Sequence, residues 1–261
     1  MNRNLLSGLL ALAALFPAAG QENPVYKLFP SDIRFHLSFN DGTCSAEMAG
    51  GKAEPTRLLG TPVYDKGLFG KCLAAGQAVF DAKDNLDLSM PGTVILWVAP
   101  ANWPSEKPAD GKEPGFGAFY AHGSGKGYGY DFIVGKMGGQ PWGAGHMNTY
   151  VQYQPSAIKH VNCVMYDRGR VSGWKNGEWR MLASTWKPGT FTNSVNGSKS
   201  AVSTLKVLMS SPTQLFRIGT SGKEGTWRIR VDELVILNRA LTDEELKKLY
   251  DETLKAVAEP K

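Results

Sequence analysis

The chain has 261 residues, of which 42% are hydrophobic and 20% are charged. This composition is typical of a globular protein and excludes a disordered or collagen-like chain. The formal net charge is +5, and no run of five like charges occurs. Nucleic-acid-binding proteins concentrate basic residues on one face or tail, so the charge pattern does not favour a nucleic acid as partner.

The first twenty residues have the pattern of a secretory signal peptide. Arg3 precedes an apolar run over residues 5–16, and Pro17 and small residues then lead to Gln21. A run of about 12 apolar residues is shorter than the roughly 20 that a membrane-spanning helix needs. We therefore expect a signal peptide over residues 1–20 and a single exported domain over residues 21–261. That domain, with no membrane span, would be secreted, periplasmic or attached to the cell surface.

The mature chain has the apolar periodicity of β-strands. Residues 33–39 alternate apolar and polar side chains, and residues 93–98 form a continuous apolar run that predicts a strand buried on both faces. Asn176 and Gly177 predict a type I′ hairpin turn, since both central positions of that turn need a positive φ. Further strands are predicted over residues 161–166, 170–174, 215–218 and 227–237. Strands at this spacing, with no helix between them, indicate an antiparallel sandwich or barrel.

One helix is predicted, over residues 242–250 near the C-terminus. Thr242 and Glu245 have the spacing of a capping box, and Leu246, Leu249 and Tyr250 form one apolar stripe. We expect this helix to cover an open edge or end of the sandwich.

Three cysteines, Cys44, Cys72 and Cys163, allow one disulfide in an oxidising compartment. Cys44 and Cys72 are the pair nearest in sequence, but spacing does not decide the pairing. The chain has no C-x-x-C motif and its four histidines are scattered, which argues against a zinc site.

Seven stretches of the chain match one domain pattern in the same order: residues 67–73, 94–100, 158–167, 171–178, 216–219, 230–241 and 242–250. In these stretches the chain resembles the laminin-G-like domains of the concanavalin A-like superfamily. The chain departs from the family pattern at Lys159 and Gly173, and residues 101–154 have no counterpart that we can align. The resemblance implies an all-β fold, an antiparallel two-sheet jelly roll with a short C-terminal helix. It also implies a concave sheet face and rim loops of the kind that bind sugars, and in some members a structural calcium ion.

Asn40, Asp41 and Asp232 are the candidate calcium ligands that the resemblance indicates. In the family, the exit of the first strand and the Asp of the last strand lie close together. Calcium takes six to eight oxygen ligands from such loops. Alternatively, Asp41 is a turn residue and Asp232 pairs with an arginine at position 228, 230 or 239.

Aromatic side chains and glycines are concentrated in residues 115–153. Aromatic rings stack on the C–H faces of sugars, while nearby polar groups bind their hydroxyls. The candidate sugar-binding residues are Trp103, Trp142, Tyr128, Tyr130, His122, His146 and Asn148. Alternatively, the alternating aromatics are the core and cross-strand packing of ordinary strands.

The sequence favours a secreted, non-catalytic carbohydrate-binding or adhesion module whose partner is a polysaccharide or glycoconjugate. A glycoside hydrolase or polysaccharide lyase on the same fold is the alternative, and a protein-interaction module is a second. Jelly-roll glycosidases need paired carboxylates on one strand face, but no Glu here is followed two residues later by Asp. Asp232 and Glu233 are adjacent and should point to opposite faces, and Asp81, Asp84 and Asp87 have the spacing of turn formers.

Overall fold

A computed structural model describes residues 23–103, 116–122, 132–136, 147–154, 159–166, 174–204, 213–220 and 228–258. The predicted signal peptide lies outside these residues. The strands they contain are β1 (Ile33–Leu37), β2 (Met48–Ala49), β3 (Arg57–Lys66), β4 (Lys71–Asp81), β5 (Gly92–Pro100), β6 (Phe116–His122), β7 (Phe132–Lys136), β8 (Met147–Gln154), β9 (Lys159–Tyr166), β10 (Arg180–Lys187), β11 (Thr190–Val195), β12 (Ser198–Ser203), β13 (Leu215–Thr220) and β14 (Ile229–Leu237). The helices are α1 (Pro24–Leu28) and α2 (Asp243–Ala258). Neither of these described helices is long and apolar enough to cross a membrane.

The strands form one antiparallel sheet that curls into two layers. The first layer runs β12-β11-β10-β5-β14, and β1 and β2 continue it beyond the second half of β14. The second layer runs β3-β4-β13-β6-β7-β8-β9. The layers join where the first half of β14 meets β4, at Val231 opposite Leu73. The predicted all-β antiparallel jelly roll is therefore confirmed.

The main core fills the space between the two layers. Phe80, Phe119 and Phe216 are fully buried there, and the rings of Phe80 and Phe216 stack with centroids 5.3 Å apart. Strand side chains alternate between faces, so Val94 and Leu96 of β5 point into this core. Each such side chain contributes roughly 1.5–3 kcal/mol when it leaves water.

A second apolar cluster covers the outer face of the first layer. Ile95 and Trp97 of β5 point outward, and both helices pack over this face. Trp97 stacks on Tyr250 of α2 with ring centroids 5.7 Å apart. The prediction that β5 is buried on both faces is confirmed. The expected position of the C-terminal helix at an edge or end of the sandwich is met only in part. Asp243 pairs with Lys199 of the terminal strand β12, but the apolar stripe of α2 covers the outward apolar residues of β5 across the face itself.

The predicted capping box begins α2. Glu245 N donates to Thr242 Oγ1 at 3.2 Å, and Thr242 N donates to Glu245 Oε2 at 2.9 Å. The helix then runs to Ala258, beyond the predicted end at Tyr250.

The predicted type I′ turn lies at a different Asn-Gly pair. Gly177 has φ +81°, but Asn176 is not in the positive-φ region, and its amide instead bonds the backbone of Trp103. Asn196 and Gly197 have φ +52° and +72° and connect β11 to β12. Both central residues there meet the requirement of a type I′ hairpin.

Two of the three cysteines are buried free thiols. Cys44 Sγ lies 3.2 Å from Tyr64 Oη, and Cys72 Sγ donates to the carbonyl of Lys66 at 3.4 Å. A Cys44–Cys72 disulfide, which the spacing left open, is therefore not formed. Burial raises the pKa of Cys72 to about 12, so this thiol is unreactive.

Candidate ligand-binding site

Among the predicted sugar-binding residues, the structure describes the side chain of Trp103. Trp142, Tyr128, Tyr130 and His146 lie outside the described residues, and His122 and Asn148 are described in their backbone alone. Asn148 pairs with Gly135, which is level with Gly117, whereas His122 ends β6 five residues further along. Five residues of strand span about 15 Å, so His122 and Asn148 lie at different levels of the sheet.

Trp103 is a core residue rather than an exposed aromatic platform. Only 6% of its surface is exposed, and its indole packs edge-on against Trp174 with ring centroids 5.4 Å apart. The Asn176 amide accepts from Trp103 N and donates to Trp103 O, both at 2.8 Å. Asn176 thus fixes the backbone of Trp103, and the indole ring lies in the main core.

The aromatic-rich segment, residues 115–153, contributes β6, β7 and most of β8 to the second layer. These three strands are antiparallel neighbours in chain order, and β9 follows them. Phe119 and Phe132 are fully buried in the main core, with ring centroids 5.8 Å apart. Core packing therefore explains these two aromatics, as the alternative interpretation holds.

Asn40 and Asp41 lie where the chain leaves β1. The carboxylate of Asp41 accepts hydrogen bonds from the amide and hydroxyl of Thr43, each at 2.8 Å, and thus forms a local turn. The Oδ1 atom of Asn40 is buried against Gly70 and accepts no hydrogen bond. This oxygen could be a ligand of a cation, although calcium needs several further oxygen ligands.

Asp232 uses both carboxylate oxygens within the fold. Leu68 N donates to Oδ2 at 2.6 Å, and Glu233 N donates to Oδ1 at 3.0 Å. Burial, and then the charge of Glu233, raises the pKa of Asp232 well above its ordinary value. The described part of the chain contains no group of three or more His, Cys, Asp or Glu side chains arranged for a metal. An ion at this end would have to displace donors from Asp232, so calcium binding stays a prediction.

A buried polar cluster, which we call the Glu233 cluster, attaches α1 to the outer face of the first layer. His36 Nε2 lies 2.7 Å from Glu233 Oε2, and His36 Nδ1 lies 2.7 Å from the phenol oxygen of Tyr26. Asn23 Nδ2, at the N-cap of α1, donates to the same Glu233 oxygen at 2.5 Å. Glu233 itself has φ +50°, at the irregularity where β14 exchanges β4 for β1 as its neighbour.

The Glu233 cluster is connected like a proton relay, but the pKa directions of its groups indicate a structural role. Burial alone would lower the pKa of His36, but its hydrogen bonds to Glu233 and Glu47 raise the pKa well above 6.5. Burial raises the pKa of Tyr26, so the phenol stays protonated and is a poor nucleophile. The cluster therefore holds the helix on the sheet.

A cavity of about 360 Å³ opens at the end of the sandwich where β1 and β5 begin. We call it the end pocket. Its lining comes from four separate parts of the chain: Arg34, Asp84, Asn85, Leu86, Asp87, Met90, Pro91, Trp186, Ile236, Leu237 and Asn238. Asp81 and Asp87 act as turn formers, as predicted, because each accepts a backbone N–H two residues on. Sequence patterns did not indicate the pocket, because its walls are distant in the chain.

Solved structures with the same fold include binding domains of clostridial toxins. The binding domain of Paraclostridial Mosquitocidal Protein 1 matches with a TM-score of 0.65 and 12% identity, over 85% of this chain and 52% of that one. The binding domain of Botulinum neurotoxin DC in complex with rat synaptotagmin II matches with a TM-score of 0.65 and 14% identity, over 87% and 52%. The same toxin domain in complex with SialylT matches with a TM-score of 0.61 and 13% identity, over 85% and 52%.

The chain thus spans about half the length of each of these structures, and at such identity the likeness shows the fold alone. No curated protein matches the chain in sequence. The model of one family, Laminin_G_3 of the concanavalin A-like lectin/glucanases superfamily, matches residues 74–247. That range covers β5 to β14, the Glu233 cluster's carboxylate and the capping box of α2. Because the match extends over more than half of the chain, the protein belongs to this laminin-G family of the concanavalin A-like lectin/glucanases superfamily.

Proposed function

We propose that this protein is a non-catalytic carbohydrate-binding module that is exported through its signal peptide to the periplasm, cell surface or medium. The observation that carries the proposal is membership of a concanavalin A-like lectin/glucanases family across residues 74–247. One structural neighbour was solved with SialylT, which supports a glycoconjugate as partner. Fold alone does not fix function, so the ligand has to be established by binding.

The arrangement of the central carboxylates supports binding rather than hydrolysis. A glycosidase needs two carboxyl groups that flank one bond and can reach the substrate. Asp232 and Glu233 are at most 1% exposed, and both already bond groups of the fold. A glycoside hydrolase or polysaccharide lyase would therefore need other carboxylates.

The proposed sugar contacts are those of the aromatic-rich segment. Trp142 is the proposed stacking platform, and Tyr128, Tyr130, His122, His146 and Asn148 are the proposed neighbours. A calcium ion at the Asn40–Asp41 end is part of the proposal, as a structural ion that holds the loops of that end.

A glycan array with the mature chain, residues 21–261, tests the proposal in calcium and in EGTA. We expect binding to one glycan class, with a dissociation constant that rises about tenfold or more in Trp142→Ala, because the stacking surface is removed; tenfold corresponds to about 1.4 kcal/mol. Trp142→Phe keeps a ring and is the matched control. Silence across the array, from a protein with native circular dichroism, would overturn the proposal.

A protein-interaction module is the second candidate function. It is favoured by the neighbouring toxin domain that was solved with rat synaptotagmin II. Free monosaccharides separate the two functions, because they compete with a glycoprotein for a lectin site but not for a protein interface.

A further inference from the structure

The end pocket has the size of a site for one sugar ring. Its volume of about 360 Å³ lies near the lower end of the range of ligand pockets, about 300–1,000 Å³. Pockets of 300 Å³ and above, with an apolar lining and a few placed polar groups, are the usual form of small-molecule sites.

The polar wall of the end pocket offers both donors and acceptors. Arg34 donates from Nη2 and Nε to the amide oxygen of Asn238, at 3.1 and 3.3 Å, when that oxygen is turned toward the guanidinium. Asp84 is exposed, and the Oδ1 atom of Asp87 accepts from Ser89. Guanidinium donors beside carboxylate acceptors match sugar hydroxyls, because each hydroxyl both donates and accepts.

The apolar wall presents an exposed methionine. Met90 is 58% exposed, although it is among the larger apolar side chains of the protein. Leu86 and Pro91 line the pocket beside it. A polarisable thioether can adapt to the C–H face of a sugar, so Met90 can supply the apolar contact of the pocket.

The loop that carries these groups is fixed in place. Asn85 is fully buried; its amide donates to the carbonyls of Lys52 and Asp81 and accepts from Gly51 N, all within 3.0 Å. Trp186 Nε1 donates to the carbonyl of Met90 at 2.6 Å. A pocket whose walls are already fixed loses little entropy on binding.

We propose that the end pocket binds one neutral pyranose residue, with its hydroxyls on Arg34, Asp84 and Asp87 and its C–H face on Met90. This site is separate from the aromatic-rich segment, and the inference rests on the proposed carbohydrate-binding function. The lining contains two carboxylates, Asp84 and Asp87, and one guanidinium, Arg34, so its net charge is negative and the pocket disfavours sialic and uronic acids.

Methyl-group NMR of the intact mature chain tests the proposal. The ε-methyl of methionine is labelled with ¹³C, and Met90→Ala assigns its signal. Methyl glycosides of glucose, galactose, mannose and N-acetylglucosamine are titrated separately, with methyl glucuronide as the acidic probe. We expect at least one neutral glycoside to shift the Met90 signal saturably, and methyl glucuronide to leave it in place.

Matched variants locate the contacts. Two variants should keep the fold. Asparagine adopts the positive φ of +63° at position 84 as readily as aspartate, and Arg34→Gln changes an exposed side chain. Each should raise the dissociation constant of the bound glycoside about tenfold, since a hydrogen bond to a charged group is worth about 1.5–3 kcal/mol. Arg57→Gln and Val202→Ala, at exposed positions outside the pocket lining, should leave it unchanged.

The outcomes separate this inference from the proposed function. The pocket site is overturned if the Met90 signal does not shift and binding on the array persists in the Arg34 and Asp84 variants. The carbohydrate function then remains intact. Silence on the array overturns the function, and with it the pocket as a sugar site. A Met90 shift that methyl glucuronide also causes overturns the preference for neutral sugars.

Discussion

Two sets of carboxylates in this protein have opposite environments. Asp232 and Glu233 are buried, adjacent in sequence, and bonded to the backbone and to His36. Asp84 and Asp87 are exposed on a loop that lines the end pocket. The first pair stabilises the meeting point of the two layers, whereas the second pair is exposed to solvent, with Asp87 Oδ1 bonded to Ser89 within its own turn. The acidic pair in strand β14 thus has a structural role, whereas the acidic residues of the β4–β5 loop line the open cavity.

The largest expected effect is on stability, from Glu233→Gln. This change removes the negative charge that pairs with the imidazole of His36, whose pKa is raised in the folded protein. Breaking a buried ion pair by removing one partner costs about 3–5 kcal/mol, and we expect a loss of roughly 3 kcal/mol in the free energy of unfolding. Urea denaturation followed by circular dichroism measures it.

Asp84→Asn is the matched control for that prediction. It also removes one carboxylate charge at a positive φ, but at an exposed position, so its effect should stay within about 0.5 kcal/mol. Equal losses in the two variants would remove the distinction between structural and exposed carboxylates.

Asp232→Ala should cost about 2 kcal/mol, because two backbone donors, Leu68 N and Glu233 N, lose their acceptor. Asp232→Asn keeps an amide oxygen and relieves repulsion with Glu233, so it should recover at least half of that loss. The comparison of urea midpoints checks this. An asparagine variant as unstable as the alanine variant would contradict the prediction, because the amide oxygen would then restore neither hydrogen bond.

Much of the fold could be predicted from the sequence, because its signals are local. The alternation of residues 33–39, the apolar run of β5 and the capping box of α2 each specify an element through nearby residues. The position of α2 could not be predicted in this way. It depends on the outward face of β5, some 150 residues earlier in the chain, which only the folded sheet presents to the helix.

The candidate sites were harder to predict for the same reason. Trp103 is in a Pro-containing loop that suggests exposure, but Asn176 turns it inward. Arg34, Met90 and Asn238 had no motif, and they meet only because β1, the β4–β5 loop and β14 end at one place. The segments that line such a pocket are far apart in the chain, so the residues have no fixed sequence spacing that a motif could capture.

The pH dependence of stability distinguishes the Glu233 cluster from the end pocket further. The pKa of His36 is raised on folding, so its contribution is fully present below pH 6.5 and is lost as the pH rises toward the folded-state pKa. The free energy of unfolding should fall above pH 6.5 by at most about 1.4 kcal/mol per pH unit. The lowered pKa of Glu47 acts below pH 4.5, outside this range.

Urea midpoints between pH 6 and 9 measure that slope. His36→Gln should remove the His36 part of it, while the raised pKa of Asp232 gives any remaining slope the same sign. A variant with the slope of the natural chain would show that His36 is neutral in the folded protein.

The smallest expected effect is that of calcium. Extracellular calcium modules bind with dissociation constants of about 10⁻⁴–10⁻³ M, so 1 mM calcium would stabilise the fold by about 0.4–1.4 kcal/mol. That corresponds to a rise in Tm of about 1–5 °C for a domain of this size. Asp41→Asn should abolish the rise, whereas Asp84→Asn should leave it, because Asp41 lies beside the buried Asn40 oxygen and Asp84 lines the pocket. A Tm unaffected by EGTA would remove calcium from the proposal, and a rise that depends on Asp84 would place the ion in the end pocket instead.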